Sequence, residues 1–238
     1  MKTNTFNTAI FKLREFKSHT PNILGAIIHP VQEEGIYLGI LYNGEQELRR
    51  LLITCTTDAP DTQLNIDFSE HTAVGKAIDN AMPEYALKKE GYVLLYTSIQ
   101  LADFYLKLYQ KVNDKQKLIF NSKLLGPGDI YTVTLLEPGK YIAQNSVDKS
   151  KMKIAVTLPE TQKGKPLPTF EPITLEVNAT GFSAKEIKIN STQGIVFLLK
   201  AKTDVIIKFE DNNDKKGNEP VKDGRYFRWN NPNIVPNK

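Results

Sequence analysis

Short apolar runs recur along this chain, several alternating at period two and punctuated by turn residues, the pattern of strands with one buried face. ILGAIIH (23–29) and IYLGILY (36–42) read as strands. Asn43-Gly44 follows the second and favours a type I′ turn. LRRLLITCT (48–56) is the return strand, DAPDT (58–62) a turn, and LNIDF (64–68) alternates again. SEHTAVGKAIDNAM (69–82) is the best helix candidate, with Ser69 or Thr72 as its cap and Val74, Ile78 and Met82 at four-residue spacing. Pro83 ends it or opens a second turn through Tyr85 and Leu87. GYVLLYT (91–97) is a strand. LADFYLKLYQKV (101–112) fits either period, and its three aromatic residues lean toward strand.

From about residue 113 the texture changes to short β runs separated by turn signals, and VNDKQK (112–117) reads as a boundary. The fold class expected is mainly β: a mixed α+β N-terminal domain followed by one or two small antiparallel β-sandwich units. The expected divisions are an arm at 1–22, the mixed domain at 23–115, a sandwich unit at 116–159, and a second at 169–238 with a C-terminal tail. ETQKGKPLP (160–168) is the linker or crossover between the last two.

Within the β-rich part, LLGPGDIYTVTLLEPGKYIAQNSVDKSKMKIAV (124–156) resembles the second half of the cupredoxin sandwich, with its Pro-Gly and Pro-Gly-x-Tyr turns. ITLEVNATGFSAKEIKINSTQGIVFLLKAKTDVIIKFED (173–211) resembles the first half, with a Gly-Phe-Ser-x-x-x-Ile pattern. The halves come in reversed order, so they belong either to different domains or to one permuted sandwich; other immunoglobulin-like sandwiches share these turns. The resemblance implies a scaffold and no copper. A blue-copper site needs two His and a Cys thiolate. Ala143, Gln144 and Asn145 stand where the metal loop would begin, Met152 reads as packing inward, and His19, His29 and His71 all lie before residue 72.

The 238 residues are 40% hydrophobic and 24% charged, ordinary globular values. The net charge of +4 is small and reads as spread out, which argues against nucleic acid as a partner. One cysteine, Cys55, permits no intramolecular disulfide and reads as a buried apolar residue. No apolar run reaches about 18 residues, so no membrane insertion is expected. MKTNTFNTAIFKLREF lacks the apolar core of a secretory signal, leaving the cytoplasm or an assembled virion as the expected location.

Nucleophile-elbow, phosphate-loop, dinucleotide and zinc patterns are missing, so no cofactor, metal or catalytic residue is assigned. Cys55 with His71 could pair as thiolate and base, but nothing nearby in sequence orients them. DNNDKKGNE (211–219) carries oxygen ligands, yet Lys216 stands where a calcium loop needs Gly, so a solvated loop is the better reading.

Two clusters suggest protein contacts. Ile10, Phe11 and Phe16 are apolar anchors on the arm, and Arg225, Tyr226, Phe227, Arg228 and Trp229 interleave charge with aromatic surface. The expected function is a non-enzymatic structural or interaction subunit of a larger assembly, of virion or surface-appendage type, with protein subunits, self or foreign, as partners. A small-ligand or carbohydrate-binding module using Tyr and Trp as platforms is the alternative. An enzyme without a local motif is the second alternative, which a cleft joining an acid to His29 or His71 would revive.

Overall fold

The computed structural model describes residues 8–71, 82–99, 103–113, 115–160 and 168–210. Two short 3-10 turns, Thr8–Lys12 and Phe68–His71, are the only helical elements among them. The strands of the N-terminal half are β1 (Glu15–Lys17), β2 (Gly25–Pro30), β3 (Gly35–Asn43), β4 (Gln46–Thr56), β5 (Gln63–Asp67), β6 (Glu84–Lys88), β7 (Tyr92–Tyr96), β8 (Phe104–Val112) and β9 (Lys115–Asn121). Those of the C-terminal half are β10 (Ile130–Thr134), β11 (Gly139–Asn145), β12 (Lys151–Thr157), β13 (Ile173–Asn178), β14 (Gly181–Phe182), β15 (Glu186–Asn190), β16 (Gly194–Leu199) and β17 (Val205–Phe209).

These strands form three sheets. A central seven-stranded sheet runs β14-β13-β16-β10-β2-β7-β5. Two five-stranded sheets, β6-β4-β3-β8-β9 and β1-β17-β11-β12-β15, flank it. The antiparallel pairing of β2 with β10, Ile28 opposite Ile130, joins the two halves of the chain edge to edge.

Register shows how the layers stack. Ile66, Leu95, Ile27, Tyr131, Phe197 and Leu175 stand opposite one another across six adjacent strands of the central sheet. Side chains directly opposite on paired strands share a face, so these six form one row. All are buried, in one cluster with the inward residues of both five-stranded sheets. Contacts such as Phe68 with Phe104, ring centroids 6.4 Å apart, link the β2-β7-β5 end to one of those sheets. Gly181 of β14 closes against Ser150, just before β12, at the other end. Both five-stranded sheets therefore lie on the same face of the central sheet, side by side.

The chain is mainly β, and a mixed α+β N-terminal domain is not supported: among the described residues there is no α-helix. Of the helix expected at 69–82, only the 3-10 turn ending at His71 is seen before residues 72–81, which lie outside the described residues together with Val74 and Ile78. The second helical turn expected through Tyr85 and Leu87 is β6, paired parallel with β4. Leu87 is buried and Tyr85 packs against the core; at two-residue spacing both side chains reach one face only in a strand. Within the 101–112 segment the described part from Phe104 to Val112 is a strand for the same reason, since Leu106 and Leu108 are buried while Tyr105, Lys107 and Tyr109 take the other face.

Two turns differ from expectation. The β3–β4 loop centres on Gly44-Glu45, with Asn43 opposite Gln46 and Gly44 at φ +59°, so glycine holds the first central position, as in a type II′ turn. VNDKQK (112–117) falls within the β8–β9 hairpin, whose strands pair from Lys107–Asn121 to Val112–Lys115. The two cupredoxin-like segments interleave in common sheets: β10 and β11 of the first pair with β16 and β17 of the second, and β12 pairs with β15.

Candidate functional site

Stacking both flanking sheets on one side leaves the other face of the central sheet without a second layer among the described residues. Antiparallel sheets with an open face ordinarily place polar residues on it. Here the row Leu94, Ile28, Ile130, Leu198 crosses four adjacent strands, with Asn65 and Glu176 opposite its two ends. All four aliphatic side chains are partly exposed. The neighbouring row is Ala26, Thr132, Val196 and Thr174, equally free of charge. A shallow cleft of about 450 Å³ opens beside it, lined by Asn22, Tyr96, Thr132, Thr134 and Val196 among others. Its lining holds no carboxylate, imidazole, thiol or amine, so it offers no general acid or base near neutral pH.

Of the arm residues expected to dock on neighbours, Phe16 is 1% exposed inside the chain's own core. Its strand, β1, pairs with β17, placing Phe16 opposite Ile207. Further contacts fasten the arm. Ser18 N donates to Val205 O, and Val205 N donates to Ser18 Oγ, both at 2.9 Å. Arg14 makes a bidentate pair with Glu137 at 2.8 and 3.1 Å, and its guanidinium lies 4.6 Å from the Phe209 ring centre. Ile10 is partly buried and Phe11 is 44% exposed, so of the three anchors Phe11 presents the most surface. Arg225, Tyr226, Phe227, Arg228 and Trp229 lie outside the described residues, as does the 211–219 loop.

The structure does join an acid to His29. His29 Nδ1 and Asp129 Oδ1 are 2.7 Å apart, and Gly126 N donates to Asp129 Oδ2 at 2.7 Å. The imidazole stacks on Phe120 with centroids 4.2 Å apart. This pair sits where β2 meets β10, on the covered face, with side chains 13% and 6% exposed. No serine, threonine or cysteine hydrogen-bonds the ring among the described residues, so the triad geometry that would activate a nucleophile is not assembled. The pair fastens the junction between the two halves.

A looser pair, His19 Nδ1 and Asp204 Oδ2 at 3.6 Å, lies where the arm meets β17. Burial pushes the Asp204 carboxyl above the ordinary aspartate range, against the opposing pull of His19 and a hydrogen bond with Ser18. Cys55 is fully buried, and burial raises its thiol, which keeps it protonated and unreactive. Met152 packs in the core, with Ala143 buried on the neighbouring strand. Among the described residues no three His, Cys, Asp or Glu side chains converge as a metal site, and no helix is long and apolar enough to cross a membrane.

Comparison with known proteins adds no family: no family model, curated protein or solved structure matches this chain at a significant level.

The residues of the open face are ones that pattern reading passes over. Their signal is in the strands that fail to alternate, AII in β2, VLL in β7 and IVFLL in β16. Continuous apolar runs mark strands with apolar surroundings on both faces, yet the described residues supply a layer on one face only.

Proposed function

We propose that the protein is a non-enzymatic structural subunit of a larger protein assembly, of the kind a virion or surface appendage requires, and that it associates with a second copy of itself through the open face of the central sheet. The observation that carries this reading is the aliphatic row Leu94, Ile28, Ile130, Leu198 on a face with no covering layer among the described residues. Area supports it. Seven strands of about five residues span roughly 34 by 17 Å, a footprint of the same order as the ~800 Å² that each partner contributes to a stable interface. Shape supports it as well. Two such sheets stacked with strand directions within about 30° bring aliphatic rows into contact, and a two-fold axis makes the same patch serve both partners. Like charges do not meet, because both central rows are uncharged.

The test is mass by light scattering over a concentration series, on the full chain and on Ile28→Glu/Leu198→Glu. Both positions are partly exposed, so the variant keeps its fold, checked by circular dichroism. Wild type is expected to move from monomer to dimer with rising concentration while the variant stays monomeric. A wild type that remains monomeric throughout, or a variant that dimerises equally well, refutes the reading.

A further inference from the structure

The net charge of the chain is not spread evenly: the excess lies in one contiguous segment, which the fold makes a single hairpin. Residues 104–123, the β8–β9 hairpin and the two residues after it, hold Lys107, Lys111, Lys115, Lys117 and Lys123 against a single acid, Asp114. Five lysines less one aspartate give +4, the formal charge of the whole protein, so the remaining residues balance to zero. Lys107 and Lys123 are held over aromatic rings: Lys107 Nζ is 5.1 Å from the Tyr42 centroid, and Lys123 Nζ is 4.2 Å from that of Tyr105. Lys115 and Lys117 are exposed on β9. None of these four forms a salt bridge among the described residues.

β9 is also the outer strand of its sheet and, at seven residues, the longest of the six sheet edges. Its outward backbone N–H and C=O groups have no neighbouring strand among the described residues. Lysines on an edge often serve only to prevent pairing. Here Val112 and Leu118, 43% and 48% exposed, stand among them, so the edge offers apolar contact together with one sign of charge. The register shift at Leu108/Tyr109 leaves Ile119 without an opposite residue and bends the strand there. Lys115–Leu118 is the regular stretch.

We infer that the outer edge of β9 is a docking site for an acidic, extended polypeptide segment, which adds to the sheet as a sixth strand beside Lys115–Leu118. Backbone hydrogen bonds supply the pairing, as in other strand-addition complexes. Carboxylates at alternate positions share one face of the added strand and meet Lys115 and Lys117, which share a face of β9 at the same two-residue spacing, and this selects the partner. A polyanion without a peptide backbone satisfies the charge but leaves the strand edge unpaired, so an acidic peptide fits both features.

The test uses the full chain and a fluorescein-labelled decapeptide of alternating Glu and Val, read by fluorescence anisotropy. Three comparisons accompany it: the same peptide N-methylated at alternate residues, single-stranded DNA of equal charge, and the variant Lys115→Glu/Lys117→Glu. The acidic peptide is expected to bind, and to weaken at least tenfold with the charge-reversed variant and with the N-methylated peptide. Failure to bind overturns the inference. Equal binding of the N-methylated peptide, or tighter binding of DNA, also overturns it, because attraction is then charge alone. Equal binding to the variant places the peptide elsewhere and overturns it too.

Discussion

Truncating Phe16 decides whether the N-terminal arm belongs to the chain's own fold. β1 has three residues and a single neighbour, β17. Fixing each residue's backbone costs about 1–2 kcal/mol, while each hydrogen bond returns a net of only about 0.5–1.5 kcal/mol, so pairing alone does not hold so short a strand. The Arg14–Glu137 pair, with side chains 50% and 21% exposed, contributes at most ~1 kcal/mol. Burial of the Phe16 ring stabilises the arm most, by about 1.5–3 kcal/mol in transfer. With the cavity left behind, Phe16→Ala is expected to cost about 3–5 kcal/mol, and Arg14→Ala about 1 kcal/mol. Urea unfolding of the full chain, followed by far-ultraviolet circular dichroism, measures both as midpoint shifts at unchanged slope. A loss below about 1 kcal/mol for Phe16→Ala would show that the core does not need the ring, and the arm would again be free to serve a neighbouring subunit.

Asp129→Ala removes the acceptor of Gly126 N and the partner of His29 Nδ1, and is expected to cost about 2–3 kcal/mol in the same assay; an unchanged midpoint would mean that the pair does not fasten the β2–β10 junction. Asp204→Asn is expected to stabilise the protein at neutral pH. The folded-state pKa of Asp204 lies above its unfolded value, so the folded state binds the extra proton, and stability is lost as pH rises from the ordinary aspartate range through the raised folded value. The gain in melting temperature for Asp204→Asn should therefore disappear below the ordinary aspartate range. A gain that persists there, or a loss at neutral pH, would contradict the sign. Light scattering of Ile28→Glu/Leu198→Glu remains the check on the open face.

Most strands are legible in the sequence, because period two is a local property and turn residues mark its ends. The runs 23–29, 36–42, 48–56 and 91–97, read as strands from their own side chains, fall on β2, β3, β4 and β7, with ends that differ by no more than two residues. Where the local signal served two periods, as in the 101–112 segment, only the neighbouring strands settled the matter, since pairing with β3 and β9 fixes β8 as a strand. The arm shows the same limit: Phe16 reads as an exposed anchor until β17, nearly two hundred residues later, covers it.

The open face lay furthest beyond the sequence. An apolar run in β2, β7 or β16 states that both faces of a strand are apolar, and it does not state which face has a partner layer. That assignment depends on Ile28 standing beside Ile130 and Leu94, pairings between distant segments that no local residue encodes. The sequence by itself determined a chain of β-strands with a charge balance and no assembled local catalytic motif. Tertiary structure decided which strands are neighbours, and through that which apolar residues became core and which have no covering layer among the described residues. The physical reason is that side-chain alternation is a property of one strand, whereas burial is a property of two layers.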